Sequence, residues 1–222
     1  MPKVTKEYIE NKKKQIIDAA YFLCLEKTVS TVTMQDIINK TGFSQGGIYR
    51  FYHDIDEIFK DMFMELRNRV SIKEKTDEIF AHAKEMSAAE VINQIFSMLA
   101  DFMEEELMGI EKVDFEFSVL AMNAPERVEK ILSGIPGVGN LEYLTMKTSA
   151  FFKEKMESGE LKPRVNMEEL LSYISSAYSG IQMCCIVNHC YKNLPFGENV
   201  RPKNQLNTLA KTVNYLMGVE TE

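Results

Sequence analysis

Three side chains within TGFSQGGIYRFYHD, residues 41–54, carry groups suited to reading nucleic acid. The Gln45 amide can pair bidentately with adenine, the Arg50 guanidinium can reach guanine or phosphate, and the Tyr49 hydroxyl can bond phosphate. Gly46 and Gly47 stand among them. In a helix each glycine costs up to about 1 kcal/mol relative to Ala, but a missing side chain lets backbone come close to a partner. Tyr52 also has a hydroxyl, yet its position matches an inward-facing site, and it is expected in the core.

Other clusters invite different chemistry. The basic run Lys12, Lys13, Lys14 is by itself most simply a solvated helix face. Glu111, Asp114 and Glu116 lie close to apolar positions, and a carboxylate buried among aromatics would favour a cationic, lipophilic ligand; exposure is the expected state for any one of them. In CCIVNHC, residues 184–190, Cys185 and His189 are one helical turn apart, while Cys184 and Cys190 point elsewhere. One helix cannot close a four-ligand site this way, so the thiols read as buried and inert, and redox activity would need an exposed thiol of lowered pKa. With three histidines (His53, His82, His189), no Glu-x-x-His pair, no His-Glu-x-x-His and no phosphate loop, the chain is not expected to be an enzyme or to need a cofactor or metal.

Charge separates the two ends of the chain. The net charge is −7, but residues 1–70 carry 11 Lys and Arg against 10 Asp and Glu, leaving 15 against 23 for the rest. The acidity therefore lies outside the part that holds the nucleic-acid chemistry. No run approaches the roughly 18 uninterrupted apolar residues of a membrane span, and four cysteines without framework spacing suit a reducing compartment. A cytoplasmic protein with no membrane partner is expected.

The elements that must position these groups are helical throughout, because apolar residues recur at spacings of three and four and no long alternation suggests a sheet. Ile16, Ala20, Leu23 and Cys24 make the stripe of a first helix. Thr33 is the expected N-cap of a short second helix, Gly42 its left-handed stop, and Ser44 the cap of a short third helix. Two short helices joined so tightly form a helix-turn-helix, which lays its second helix in the major groove. A fourth helix is expected from Asp54 to about Lys75, roughly 33 Å long. Further helices are expected at about 88–107, 111–122, 125–132, 138–158, 166–191 and 203–217.

The stretch from Lys12 to about Phe63 resembles the N-terminal domain of the TetR family of transcriptional regulators. The likeness rests on IIDAAYFLCLEK and VTMQDIINKTGFSQGGIYRFYHDIDEIF, with Thr33, Asp36-Ile37, Gly42, Ser44, Ile48-Tyr49 and Tyr52 at that family's spacings. It implies an all-α protein, with a three-helix DNA-binding domain over 1–53 and a larger ligand-binding and dimerisation domain over 54–222. It implies a repressor that binds a palindromic operator as a homodimer and leaves it when a small apolar molecule, in one variant cationic, enters the second domain. The DNA-contacting set is then Lys12, Lys13, Lys14, Thr33, Ser44, Gln45, Gly46, Gly47, Tyr49, Arg50 and His53. The resemblance places around the effector Phe96, Leu99, Phe102, Met103, Phe115, Val119, Met122, Tyr143, Met146, Phe151 and Tyr178. It assigns to the dimer interface Leu170, Ile174, Ala177, Ile181, Leu206, Leu209, Val213 and Leu216. Two positions depart from the pattern: Ile55 stands where a lysine is expected, flanked by Asp54 and Asp56, and Thr28 replaces the glycine that commonly ends the first helix. A helical interaction module without specific DNA binding is the alternative reading.

Overall fold

The computed structural model describes residues 5–69, 71–191, 193 and 195–219. Every regular element among them is helical: α1 Lys6–Glu26, α2 Met34–Thr41, α3 Gln45–Tyr49, α4 Ile55–Arg69, α5 Lys73–His82, α6 Ala88–Glu106, α7 Ile110–Asn123, α8 Pro125–Leu132, α9 Asn140–Glu157, α10 Met167–Cys190 and α11 Pro202–Leu216, with short 3-10 turns at Val29–Thr31 and Ala83–Glu85. Local chemistry sets many of the starts. Ser87 and Glu90 form a capping box at α6, the Asn166 side chain accepts from the Glu169 N–H at α10, and Pro125 and Pro202 occupy first turns where no amide hydrogen is needed.

The chain packs as two units. The first combines residues 1–70 with 108–137, and the second combines 71–107 with 138–222. This differs from the expected division after residue 53. The apolar face of α4 is buried inside the first unit, where Phe59 and Phe63 meet the ring of Phe117 edge-on at 5.2 and 4.4 Å. A contact between residues so far apart in sequence cannot be read from the periodicity of either helix. Around it Ile16, Ala20, Cys24, Ile37, Ile48, Ile58 and Val113 complete a core with no exposed surface.

The expected fourth helix is also shorter. It stops at Arg69, and α5 starts separately at Lys73 after a non-helical Ile72 whose side chain is buried. Fifteen residues span about 22 Å rather than the 33 Å expected. Burying Ile72 in the second unit breaks the rod that charge and periodicity alone would have continued.

In the second unit α6 lies along α11, with α10 beside it and α5 and α9 completing the packing. Leu170, Leu206, Leu209 and Val213, expected at the dimer interface, are buried in this core, and Ile174, Ala177, Ile181 and Leu216 are half-buried against it. An apolar stripe marks the face a helix buries but does not say against what, and here the chain's own core takes it. The opposite side of α10 is exposed at Tyr173, Ser176 and Met183. By length and composition α10 could cross a membrane, at a mean hydropathy of 1.4, and 28% of its apolar window is buried.

Candidate nucleic-acid interface

The Thr33 hydroxyl accepts from the Asp36 N–H at 3.2 Å while the Asp36 carboxylate accepts from the Thr33 N–H at 2.8 Å, a reciprocal cap that fixes the start of α2. The same carboxylate meets Lys27 Nζ at 2.5 Å. The lysine and then the threonine hold Asp36 well below the usual carboxylate range, at about 2. Gly42 ends α2 at φ 69°, a left-handed conformation a side chain would strain, and donates its N–H to the Ile38 carbonyl.

Two residues on, the Ser44 hydroxyl accepts from the Gly47 N–H at 3.2 Å and starts α3. Ile48 is fully buried and pins the helix to the core. Gln45, Gly46, Tyr49 and Arg50 face solvent, Tyr49 with 43% of its surface exposed. The two glycines differ: a Cβ on Gly47 would stand 3.1 Å from the capping Ser44 hydroxyl, whereas one on Gly46 would meet no atom of the chain within 4 Å. Tyr52 is buried as expected and donates to Asp61 at 2.8 Å.

The basic run is sorted by its neighbours. Lys13 Nζ lies 3.2 Å from Asp61, and Lys14 Nζ lies 2.8 Å from Glu65 and 3.8 Å from Asp18. Both pair with carboxylates, two of the three from α4, whereas all three lysines were expected to contact DNA. Lys12 sits 3.8 Å over the ring of Phe43, in the turn between α2 and α3, and makes no ion pair among the described residues. His53 is exposed beside α4, its N–H donating to Glu57 at 2.8 Å. Asp56, one of the acids flanking the missing lysine, accepts a bidentate pair from Arg127 of α8, with contacts of 2.7 and 2.9 Å to Oδ1. Ile55 supplies no cation, and the adjacent charge is spent on α8.

Sequence reasoning missed two residues of α7 that hold the end of α1. Lys112 Nζ donates to the Leu25 carbonyl at 2.6 Å, and Glu116 accepts from the Val29 N–H at 3.3 Å. Each contact spans 87 residues, and no local signal could have revealed it. The acidic trio thus has three separate fates: Glu111 is buried, Asp114 is exposed and Glu116 serves the connection after α1.

The expected effector residues divide as well. Phe96, Leu99, Met103, Phe151 and Tyr178 are buried in the core of the second unit, with Phe102 half-buried against them. Tyr143 is half-buried and donates its hydroxyl to Asp77 at 2.7 Å. Met146 and Met122 are 59% and 78% exposed, and Met122, Phe115 and Val119 belong to α7 in the first unit. Sequence gave these methionines a helical register but not the side that is covered. Among the thiols, burial pushes Cys24 up to about 12 and Cys185 to about 11, as inert core thiols should be, whereas Cys190 is exposed, contrary to expectation, because it closes α10. No group of three or more His, Cys, Asp or Glu able to hold a metal occurs among the described residues.

No protein-family model matches the chain. It is 22% identical over 180 residues to an uncharacterised HTH-type transcriptional regulator, YfiR, of Bacillus subtilis (strain 168), covering 81% of this chain and 82% of that one. Its fold is similar to that of Salmonella enterica GusR, with a TM-score of 0.59, 15% identity and coverage of 97% of this chain and 98% of the other. It is likewise similar to a structure designated a TetR-family transcriptional regulator from Mesorhizobium loti MAFF303099, with a TM-score of 0.61, 14% identity and coverage of 95% and 98%. The fold is that of TetR-type regulators over nearly the whole chain, as the N-terminal motif implied.

Proposed function

We propose that the chain is a DNA-binding transcriptional regulator of TetR type, not an enzyme, acting as a cytoplasmic repressor. One observation carries the reading: a doubly capped helix-turn-helix presents Gln45, Tyr49 and Arg50 to solvent on a short helix whose inner side is anchored by buried Ile48. That arrangement suits base-edge contact by Gln45 and Arg50 and phosphate contact by Tyr49 in the major groove. Thr33, Ser44, Gly46, Gly47 and His53 line the same approach, with Lys12 the cation of the basic run left for phosphate.

The operator is a palindrome read by a homodimer. The exposed side of α10 is the surface for the second copy, since a helix of mean hydropathy 1.4 with 28% of its apolar window buried calls for a further apolar partner. A small apolar effector, a lipophilic cation being one form, releases the DNA by entering the second unit among Phe96, Leu99, Phe102, Met103, Phe151 and Tyr178.

The test is binding of the purified chain to the DNA beside its own gene, followed by fluorescence anisotropy against scrambled DNA. Wild type is expected to bind selectively, with affinity falling as salt rises, and Arg50→Ala to lose at least tenfold of that selectivity. Equal weak binding to both duplexes would instead favour a helical interaction module.

A further inference from the structure

Beyond α1, the chain enters a 3-10 turn without the side-chain devices that usually finish one helix and open the next, although α2 further on has its own capping box. The last turn of α1 contains no basic residue, and Thr28, before the 3-10 turn Val29–Thr31, makes no side-chain cap. The terminal carbonyls of α1 and the first amide of the turn are groups that need partners. α7 supplies both: Lys112 brings a cation to the Leu25 carbonyl, and Glu116, one helical turn further on, brings an anion to the Val29 N–H. Each charge has the sign that its backbone dipole favours. Val29 is fully buried in the same core as Val113 and Phe117, so the polar contacts are backed by apolar ones. Both charges also lie near the buried Cys24 thiol, where they act in opposite directions.

From the other side Lys27 reaches Asp36, the residue that completes the cap of α2. The connection is therefore held at Leu25 and Val29 by α7 and at Lys27 by α2. We infer that Lys112 and Glu116 are positioning residues for DNA recognition: they replace the missing helix-ending glycine by fixing the α1–α2 connection, and with it the placement of α2 and α3 on α1. The inference rests on the DNA-binding reading for its functional consequence, and its structural half can be measured without DNA.

The experiment compares wild type, Glu116→Ala, Lys112→Met and the conservative Glu116→Gln and Lys112→Arg. Amide hydrogen exchange is followed in the free protein, and anisotropy is measured on a duplex that the wild type selects from a random-sequence library. Glu116→Ala and Lys112→Met should lose about tenfold of the protection at residues 28–33 and bind the selected duplex about tenfold more weakly, with α4 protection and helical content unchanged. The conservative variants should recover most of both, which a general loss of stability would not produce. Unchanged protection at 28–33 in both disruptive variants would overturn the brace, and lost protection with unchanged affinity would overturn its role in recognition. Failure of wild type to select any duplex, with protection responding as expected, would instead overturn the DNA-binding reading and with it the functional half.

Discussion

At the scale of single residues, the charge of a group matters less than what already answers it. Lys12, Lys13 and Lys14 are identical in type and adjacent in sequence, yet two face carboxylates and one lies over an aromatic ring. Each phosphate contact contributes nearly one counterion to the salt dependence of binding. Lys12→Ala, which removes one contact from each half-site, is therefore expected to reduce the slope of log affinity against log salt by about 2 for the dimer on its operator, while Lys13→Ala and Lys14→Ala leave it nearly unchanged; titration at several salt concentrations measures this. Asp36 makes a prediction about pH. Its folded pKa of about 2 lies below the ordinary 3.8, so its contribution to stability is complete above about pH 4 and disappears as pH falls towards 2. Denaturant unfolding across that window should show the gap between wild type and Asp36→Asn narrowing as the solution is acidified.

At the scale of elements, sequence was legible where the deciding interaction is local. Thr33, Gly42 and Ser44 settle the helix-turn-helix through partners three or four residues away, and all three caps were visible in order along the chain. The bracing of α1 by Lys112 and Glu116 was not legible, since it depends on which helix face α7 turns towards residues far upstream. The same limit explains Met122 and Met146, whose apolar character suited a pocket but whose side chains are exposed. Phe117 is the sharpest case of an element held from afar, as its ring closes the aromatic cluster of α4. Phe117→Ala should cost about 3–5 kcal/mol of stability, read by denaturant unfolding, and lower DNA binding only in proportion to the folded fraction lost.

At the scale of the whole molecule, the apolar content of α10 exceeds what its own unit buries. A glutamate at exposed Met183 would place a charge on that side without disturbing the core beneath it. Met183→Glu is expected to shift the protein from dimer to monomer in sedimentation velocity while leaving its helical content intact. Loss of operator affinity should follow, because a monomer can occupy only one half of a palindrome. The fold belongs to the single chain, but recognition on this reading belongs to the pair.

The first packing unit is finished by residues 108–137, and this sets a schedule for the chain's synthesis. At roughly 5–20 residues per second, a ribosome needs roughly 3–13 s to extend the chain from residue 70 to residue 137. For roughly the first 2–9 s of that interval Phe59 and Phe63 have been made while Phe117, which covers them, has not. The nascent N-terminal helices therefore wait, aromatic side uncovered, in the period when chaperones meet a growing chain. The part of the protein that reads DNA on this reading precedes most of the chain in sequence but is completed only once residues 108–137 exist.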